Sequence, residues 1–245
     1  MATFLLVPGA FHPAWIWHRV VTQLETKGHR AIALDLPGTG ENMSVADSGI
    51  TLELWADYVA DQVRKVGGRP VLAGHSRGGH VIGEAAERVP DELAGLIYVT
   101  AVISPPGMTM LEAIGREPDE GFAVTDDGRI DLLPEEVATA MFYHRCPPGD
   151  TSGALERLYR EPWTPAGTPS AVSWERWGGV PRAFIECTDD QALDMTCQKR
   201  MQARAPCDPV ITLDADHSPF FCAPEALADA MIACARQFAA ARAAT

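Results

Sequence analysis

Short apolar runs and longer stretches of helical periodicity alternate along most of the chain. TFLLV (3–7) is apolar almost throughout and predicts a buried strand, followed by PAWIWHRVVTQLETKG (13–28), a helix stopped at Gly28. RAIALD (30–35) predicts a second strand, and DLPGTG is turn chemistry. Thr51 stands before a stretch with Leu52, Trp55, Val59 and Val63 on one face, which predicts a capped helix to about residue 66. RPVLAG (69–74), GLIYVTA (95–101), PRAFIEC (181–187) and PVITL (209–213) complete the strands. Helices are expected after 74 to about 89, from about Leu193, and over 224–240. Strands alternating with helices of this length imply an α/β fold: a mostly parallel sheet of about six strands with helices on both faces.

Residues 104–178 break the rhythm. They are rich in Pro and Gly, predict helices at about 134–144 and 152–160, and carry Trp163, Trp174 and Trp177. So many large apolar residues need something to pack on, so the stretch reads as a cap lobe inserted between core segments 1–103 and 179–245.

Composition narrows the partners. A chain of 245 residues suits one domain with such an insertion. A formal charge of −13 argues against nucleic acid and anionic membranes, which require basic patches, and leaves a homodimer open. Cys146, Cys187, Cys197, Cys207, Cys222 and Cys234 show no CxxC pair and no metal-ligand spacing, so no metal site is expected. The opening MATFLLVPGAFHPAW has no basic n-region and too short an apolar run for a signal or membrane helix. Reduced thiols and a cytoplasmic location are the expectation.

Candidate chemistry centres on Gly74-His75-Ser76-Arg77-Gly78, a G-x-S-x-G match. Alone the motif is weak, since a serine before a helix is also an ordinary N-cap. Its context strengthens it: an apolar strand ends at the first glycine and a helix follows. A turn that sharp strains the backbone at Ser76, requires the flanking positions to lack side chains, and presents Oγ beside a helix N-terminus that favours a developing oxyanion. A serine needs a base. Of the seven histidines, His217 follows the last strand in LDADHSP, where a sheet can present an imidazole to Ser76. His75 and His80 are too local, His18 and His29 belong to the first helix region, and His144 lies in the insertion. The acid that orients the base should end the preceding strand, where Cys187-Thr188 is followed by Asp189 and Asp190. Both remain candidates at this level, whereas Asp214 and Asp216 read as residues shaping the turn of His217.

LLVPGAFHPAWIWHRV, AIALDLPGTG, LAGHSRGGH, LAGLIYVTAV, FIECTDDQALDMTCQKRM and DADHSPFFCAPEALA, in that order, resemble the α/β-hydrolase superfamily. Within it they resemble the group of hydroxynitrile lyases, plant methyl esterases and bacterial pyrethroid-type carboxylesterases. In that group the catalytic Asp stands eight residues before a Gln; Gln198 thereby selects Asp190. The resemblance also implies an oxyanion hole from the backbone N–H groups of Ala10 and Arg77. Two positions depart from the pattern: the first loop reads Pro8-Gly9 where His-Gly is usual, and Arg77 stands where Leu or Met is usual. The Arg77 side chain is expected to pair with a carboxylate such as Glu84 or Asp35, or to contact a polar or anionic substrate group.

The implied activity is a cofactor-free serine ester hydrolase acting on a small, largely apolar ester through Ser76, His217 and Asp190. Phe11, His12, Met108, Met110, Phe122, Phe142, Trp163, Trp174 and Trp177 are the candidate pocket residues. Cyanohydrin cleavage is an alternative, but the lyases carry a Lys after the catalytic His and a Thr in the first loop, where this chain has Ser218 and Gly9. A non-catalytic ligand-binding member of the fold is the third reading.

Overall fold

In the computed structural model, which describes residues 1–43, 49–116 and 123–243, the six apolar runs form one wholly parallel sheet. The strands are β1 (Thr3–Val7), β2 (Arg30–Ala33), β3 (Val71–Ser76), β4 (Gly95–Ala101), β7 (Arg182–Cys187) and β8 (Val210–Leu213). Their order is β2-β1-β3-β4-β7-β8. A short antiparallel pair, β5 (Arg129–Ile130) and β6 (Glu161–Pro162), lies in the segment between β4 and β7.

Alternation along each strand sorts the core into two layers. Leu5, Val7, Leu72, Leu96, Tyr98 and Phe184 face α2 (Leu52–Val66) and α3 (Gly78–Arg88). Phe4, Leu6, Ala73, Ile97, Val99 and Ile185 face α1 (His18–Thr26) and α10 (Pro224–Ala243). Both faces are therefore covered, as a parallel sheet requires. The Thr51 hydroxyl accepts the Leu54 N–H at 3.1 Å and caps α2.

Two helix starts differ from expectation. The first helix opens as a 3-10 turn over Ala14–Trp17, with the Ala14 N–H held by the Asp35 carboxylate at 2.6 Å. The helix expected at 152–160 is α6 (Pro148–Leu155), because Pro148 is pre-set for a first helical turn. The segment also carries α4 (Met110–Ile114), α5 (Glu135–Phe142) and α7 (Thr164–Gly167). Of these, α4 opens with a capping box between Thr109 and Glu112 that the apolar periodicity did not reveal. After β7 and β8 come α8 (Met195–Arg204) and α9 (Pro219–Cys222).

The tightest passage is the exit from β3. A Cβ at Gly74 would stand 2.6 Å from the Gly78 carbonyl oxygen, and one at Gly78 would stand 2.7 Å from the Val7 and Pro8 oxygens. Those neighbours are backbone and cannot swing aside. Gly149, in α6, has nothing within 4 Å of its would-be Cβ. Gly74→Ala should therefore lose about 1–3 kcal/mol of stability by urea unfolding, while Gly149→Ala is neutral or stabilising. Equal midpoints for the two variants would show that the turn has room to spare.

Candidate active site

Ser76 is the last residue of β3 and sits at φ 49°, in the left-handed region that non-glycine residues seldom occupy. The β3–β4 register slips between His75 and Ser76, and α3 starts two residues later. Ser76 Oγ donates to His217 Nε2 at 3.1 Å, and His217 Nδ1 donates to Asp190 Oδ2 at 2.7 Å. This direction follows from the carboxylate, which can only accept and so keeps the proton on Nδ1.

Asp190 is itself fixed by four donors. Its Oδ1 accepts the Ala192 and Leu193 N–H groups at 2.7 and 2.8 Å, and its Oδ2 accepts the Thr100 hydroxyl as well as His217. Thr100, the penultimate residue of β4, sits at φ 35°. Gln198 explains the eight-residue spacing. From inside α8 its amide donates to the Cys187 and Leu193 carbonyls and accepts the Cys187 N–H, closing the turn that carries Asp190. Asp189 points outward instead, with its side chain 45% exposed and one oxygen 3.1 Å from His144 Nε2. On the loop after β8, Asp216 accepts the N–H groups of Arg145 and Ser218 at 2.9 Å each, and His75 Nε2 donates to the His217 carbonyl at 2.8 Å.

Two further histidines near the site are buried and neutral. His12 donates from Nδ1 to the Ala10 carbonyl and accepts the Tyr143 hydroxyl at Nε2. His80 donates from Nε2 to the Thr168 carbonyl and accepts the Ser104 hydroxyl at Nδ1. Burial lowers each to a pKa of about 4.

Arg77 pairs with a carboxylate, as expected, but the partner is neither Glu84 nor Asp35. Its guanidinium is 1% exposed and paired with Glu161 of β6, Nε to Oε1 at 2.8 Å and Nη2 to Oε2 at 3.2 Å. The same Nη2 donates to the Gly9 carbonyl at 3.0 Å, while Glu161 Oε2 accepts the Phe11 N–H at 2.8 Å. Trp55 lies 4.5 Å below the guanidinium. Glu84 and Asp35 are engaged elsewhere, Glu84 with Ser170, Ala171 and Arg88, Asp35 with Ala14 and Glu41. The pair thus clamps the first loop on both sides of Ala10. Sequence reasoning missed Glu161, Thr100 and Tyr143, which lie far from Ser76 in sequence and carry no local signal.

Ser76 and His217 open on a narrow cavity of about 70 Å³ whose lining also includes Ala10, Arg77, Phe11, His12, Met110, Met141 and Phe142. The three tryptophans do not line it. Trp174 is 54% exposed; Trp177 is core, donating its indole N–H to the Tyr98 hydroxyl at 3.0 Å; Trp163 is half-buried against both core layers. Their size suited a pocket, but the rear of α3 and the sheet claimed Trp177. Met108 is likewise absent from the lining, its sulfur accepting from Arg204 at 3.8 Å, and Phe122 lies outside the described residues.

The sequence profile of the alpha/beta hydrolase family matches residues 4–230. The chain belongs to that family. This alpha/beta hydrolase is 33% identical over 243 residues to a pyrethroid hydrolase of Sphingobium wenxiniae, covering 93% of this chain and 85% of that protein. Methylesterase 7 of Arabidopsis thaliana is 28% identical over 252 residues, covering 96% and 97%. A crystal structure of a pyrethroid hydrolase from Sphingobium faniae superposes with a TM-score of 0.82 at 32% identity, over 96% of this chain and 97% of that one.

Two outcomes follow for this alpha/beta hydrolase. Arg77→Leu should destabilise it by about 3–5 kcal/mol, because Glu161 is left charged, buried and unpaired. Adding Glu161→Gln, which removes the charge and keeps an acceptor for the Phe11 N–H, should recover much of that loss in urea unfolding. A single variant as stable as wild type would mean that the pair is not desolvated as drawn.

The second concerns pH. The unfolded chain protonates His12 and His80 below about 6.5, the folded chain only near 4. The unfolded state therefore binds more protons in this window, and stability falls as pH drops through it. The loss between pH 6.5 and 5 should be on the order of 2 kcal/mol per imidazole. His80→Asn should flatten the slope of urea midpoint against pH, and an unchanged slope would count against a neutral buried imidazole.

Proposed function

We propose that the protein is a serine ester hydrolase with Ser76 as nucleophile, His217 as general base and then acid, and Asp190 as the group that orients the imidazole. The observation that carries this reading is the unbroken Ser76–His217–Asp190 relay at a left-handed turn opening on a cavity. The pyrethroid hydrolase and methylesterase names of the relatives support ester chemistry.

As ester carbonyl and Ser76 Oγ approach, His217 Nε2 takes the hydroxyl proton and the oxygen attacks the acyl carbon. Asp190 holds the proton on Nδ1 and stabilises the imidazolium that forms. The backbone N–H groups of Ala10 and Arg77 receive the oxyanion, a role served by any residue except proline at 77. The imidazolium then protonates the leaving alcohol, and water repeats the sequence on the acyl-enzyme to release the acid. Met110, Met141 and Phe142 favour a small apolar group beside Ser76. The residues at 104–178 act as the cap, and the cytoplasm is the location this reading carries. Ser218 is neutral and fully buried, so it supplies no ammonium for a cyanide leaving group.

Ser76→Ala should reduce p-nitrophenyl acetate turnover on the order of 10⁴- to 10⁶-fold with unchanged circular dichroism. Asp190→Asn should lose about 10⁴-fold in kcat, and Asp189→Asn far less. A folded Ser76→Ala protein retaining a tenth of the activity would remove Ser76 from the mechanism, and comparable losses at 189 and 190 would misplace the acid.

A further inference from the structure

Cysteine spacing along the chain points to no metal site, yet folding brings together two cysteines and a carboxylate from three separate segments. Cys146 follows α5, Asp216 precedes His217 on the loop after β8, and Cys222 ends α9. One ligand atom from each lies within 4.8 Å of the others. Cys146 Sγ and Cys222 Sγ lie 3.7 and 3.2 Å from the same Asp216 oxygen, Oδ1. Asp216 is fully buried and the two cysteines half-buried.

We propose that Cys146, Asp216 and Cys222 form a binding site for a thiophilic divalent cation of the zinc type. The distances suit it. Zinc bonds of about 2.3 Å to sulfur and 2.0–2.2 Å to oxygen, set tetrahedrally, place neighbouring ligand atoms roughly 3.3–3.8 Å apart. The two sulfur–oxygen separations already lie at or just below that range, so binding asks only for small side-chain rotations. Two sulfurs select against magnesium and calcium, which take oxygen ligands. The Arg145 and Ser218 N–H groups hold the carboxylate from behind, as outer partners hold metal ligands elsewhere. A water on the solvent side of the two cysteines supplies the fourth position.

The balance is simple: each thiol releases one proton to solvent, two sulfur–metal bonds form with the carboxylate–metal bond, and no electron changes hands. Occupancy ties the segment behind α5, whose Phe142 ring stands 5.5 Å from the His217 ring, to the loop that carries His217. The cation would fasten two walls of the cavity to each other. The site stands independently of the ester chemistry, because no ligand belongs to the Ser76 relay.

Cadmium titration of the reduced protein tests it. Wild type should show a thiolate-to-cadmium charge-transfer band saturating at one equivalent. Zinc at a hundredfold excess over its Kd should raise Tm by roughly 5–10 °C, and magnesium should not. Cys146→Ser and Cys222→Ser should each lose the one-equivalent band and the zinc shift. Serine keeps a donor for Asp216, so both variants should fold with the wild-type Tm when no cation is added. Cys197→Ser combined with Cys207→Ser should retain band and shift. Absence of a stoichiometric band in wild type, or its survival in either single variant, overturns the proposal.

Discussion

A single residue held in a left-handed turn sets the terms for everything around the site. Ser76 at φ 49° forgoes about 1–2 kcal/mol relative to an ordinary backbone conformation. Such a conformation persists only where its surroundings over-determine it. Here they do. The Val102 N–H holds the Ser76 carbonyl at 2.9 Å, β3 is paired on both sides, Gly74 lets the start of α3 fold back against it, and Gly78 lets the chain pass within contact distance of β1's exit. Gly9 completes the fit, since a Cβ there would stand 2.6 Å from His75 Nδ1 and 2.9 Å from Ser76 Cβ. Three glycines, one in β3, one opening α3 and one in the first loop, thus serve one bend, and the bend aims Oγ at His217.

The rest of the relay is built from strand ends. β4 contributes Thr100, β7 leads into Asp190, and β8 leads into His217. Because the sheet is wholly parallel, these ends lie along one edge, where ligands of open α/β sheets bind. Burial then keeps the neighbouring imidazoles of His12 and His80 uncharged, so that they bridge backbone and hydroxyl groups without adding positive charge beside His217.

Legibility followed sequence distance. The six strands could be read because each is a short apolar run bounded by Gly, Pro or charge, and their period is local. Ser76 could be read because its glycines are neighbours, and His217 because it follows the last strand. Asp190 needed the resemblance: composition and spacing left it level with Asp189, and only Gln198, closing the turn from α8, makes the geometric difference visible. Glu161 was invisible for a different reason. It belongs to a two-residue strand in a Pro- and Gly-rich segment, and its meaning comes from Arg77, 84 positions away. The tryptophans misled because bulk and apolarity identify a residue that must be buried, not what it is buried against.

The Arg77–Glu161 pair shows how a departure from a family pattern becomes part of the machinery. Where the resemblance leads to Leu or Met, this chain buries a guanidinium, and a lone buried cation there would cost several kcal/mol. Glu161 offsets that cost, and the offset fixes geometry as well. Glu161 needs an arginine to tolerate burial; Arg77 needs a further acceptor and finds the Gly9 carbonyl; and Glu161 in turn accepts the Phe11 N–H. Both flank Ala10, whose N–H the proposed mechanism assigns to the oxyanion. The usual His-Gly start of this loop is Pro-Gly here, so the loop lacks one side chain that could brace it and is gripped instead from Arg77 and β6. The two departures are therefore one arrangement. Replacing Arg77 alone by the family's usual residue would strand Glu161, release Gly9 and loosen the loop together, which is why the pair acts as a unit and its members cannot be exchanged singly.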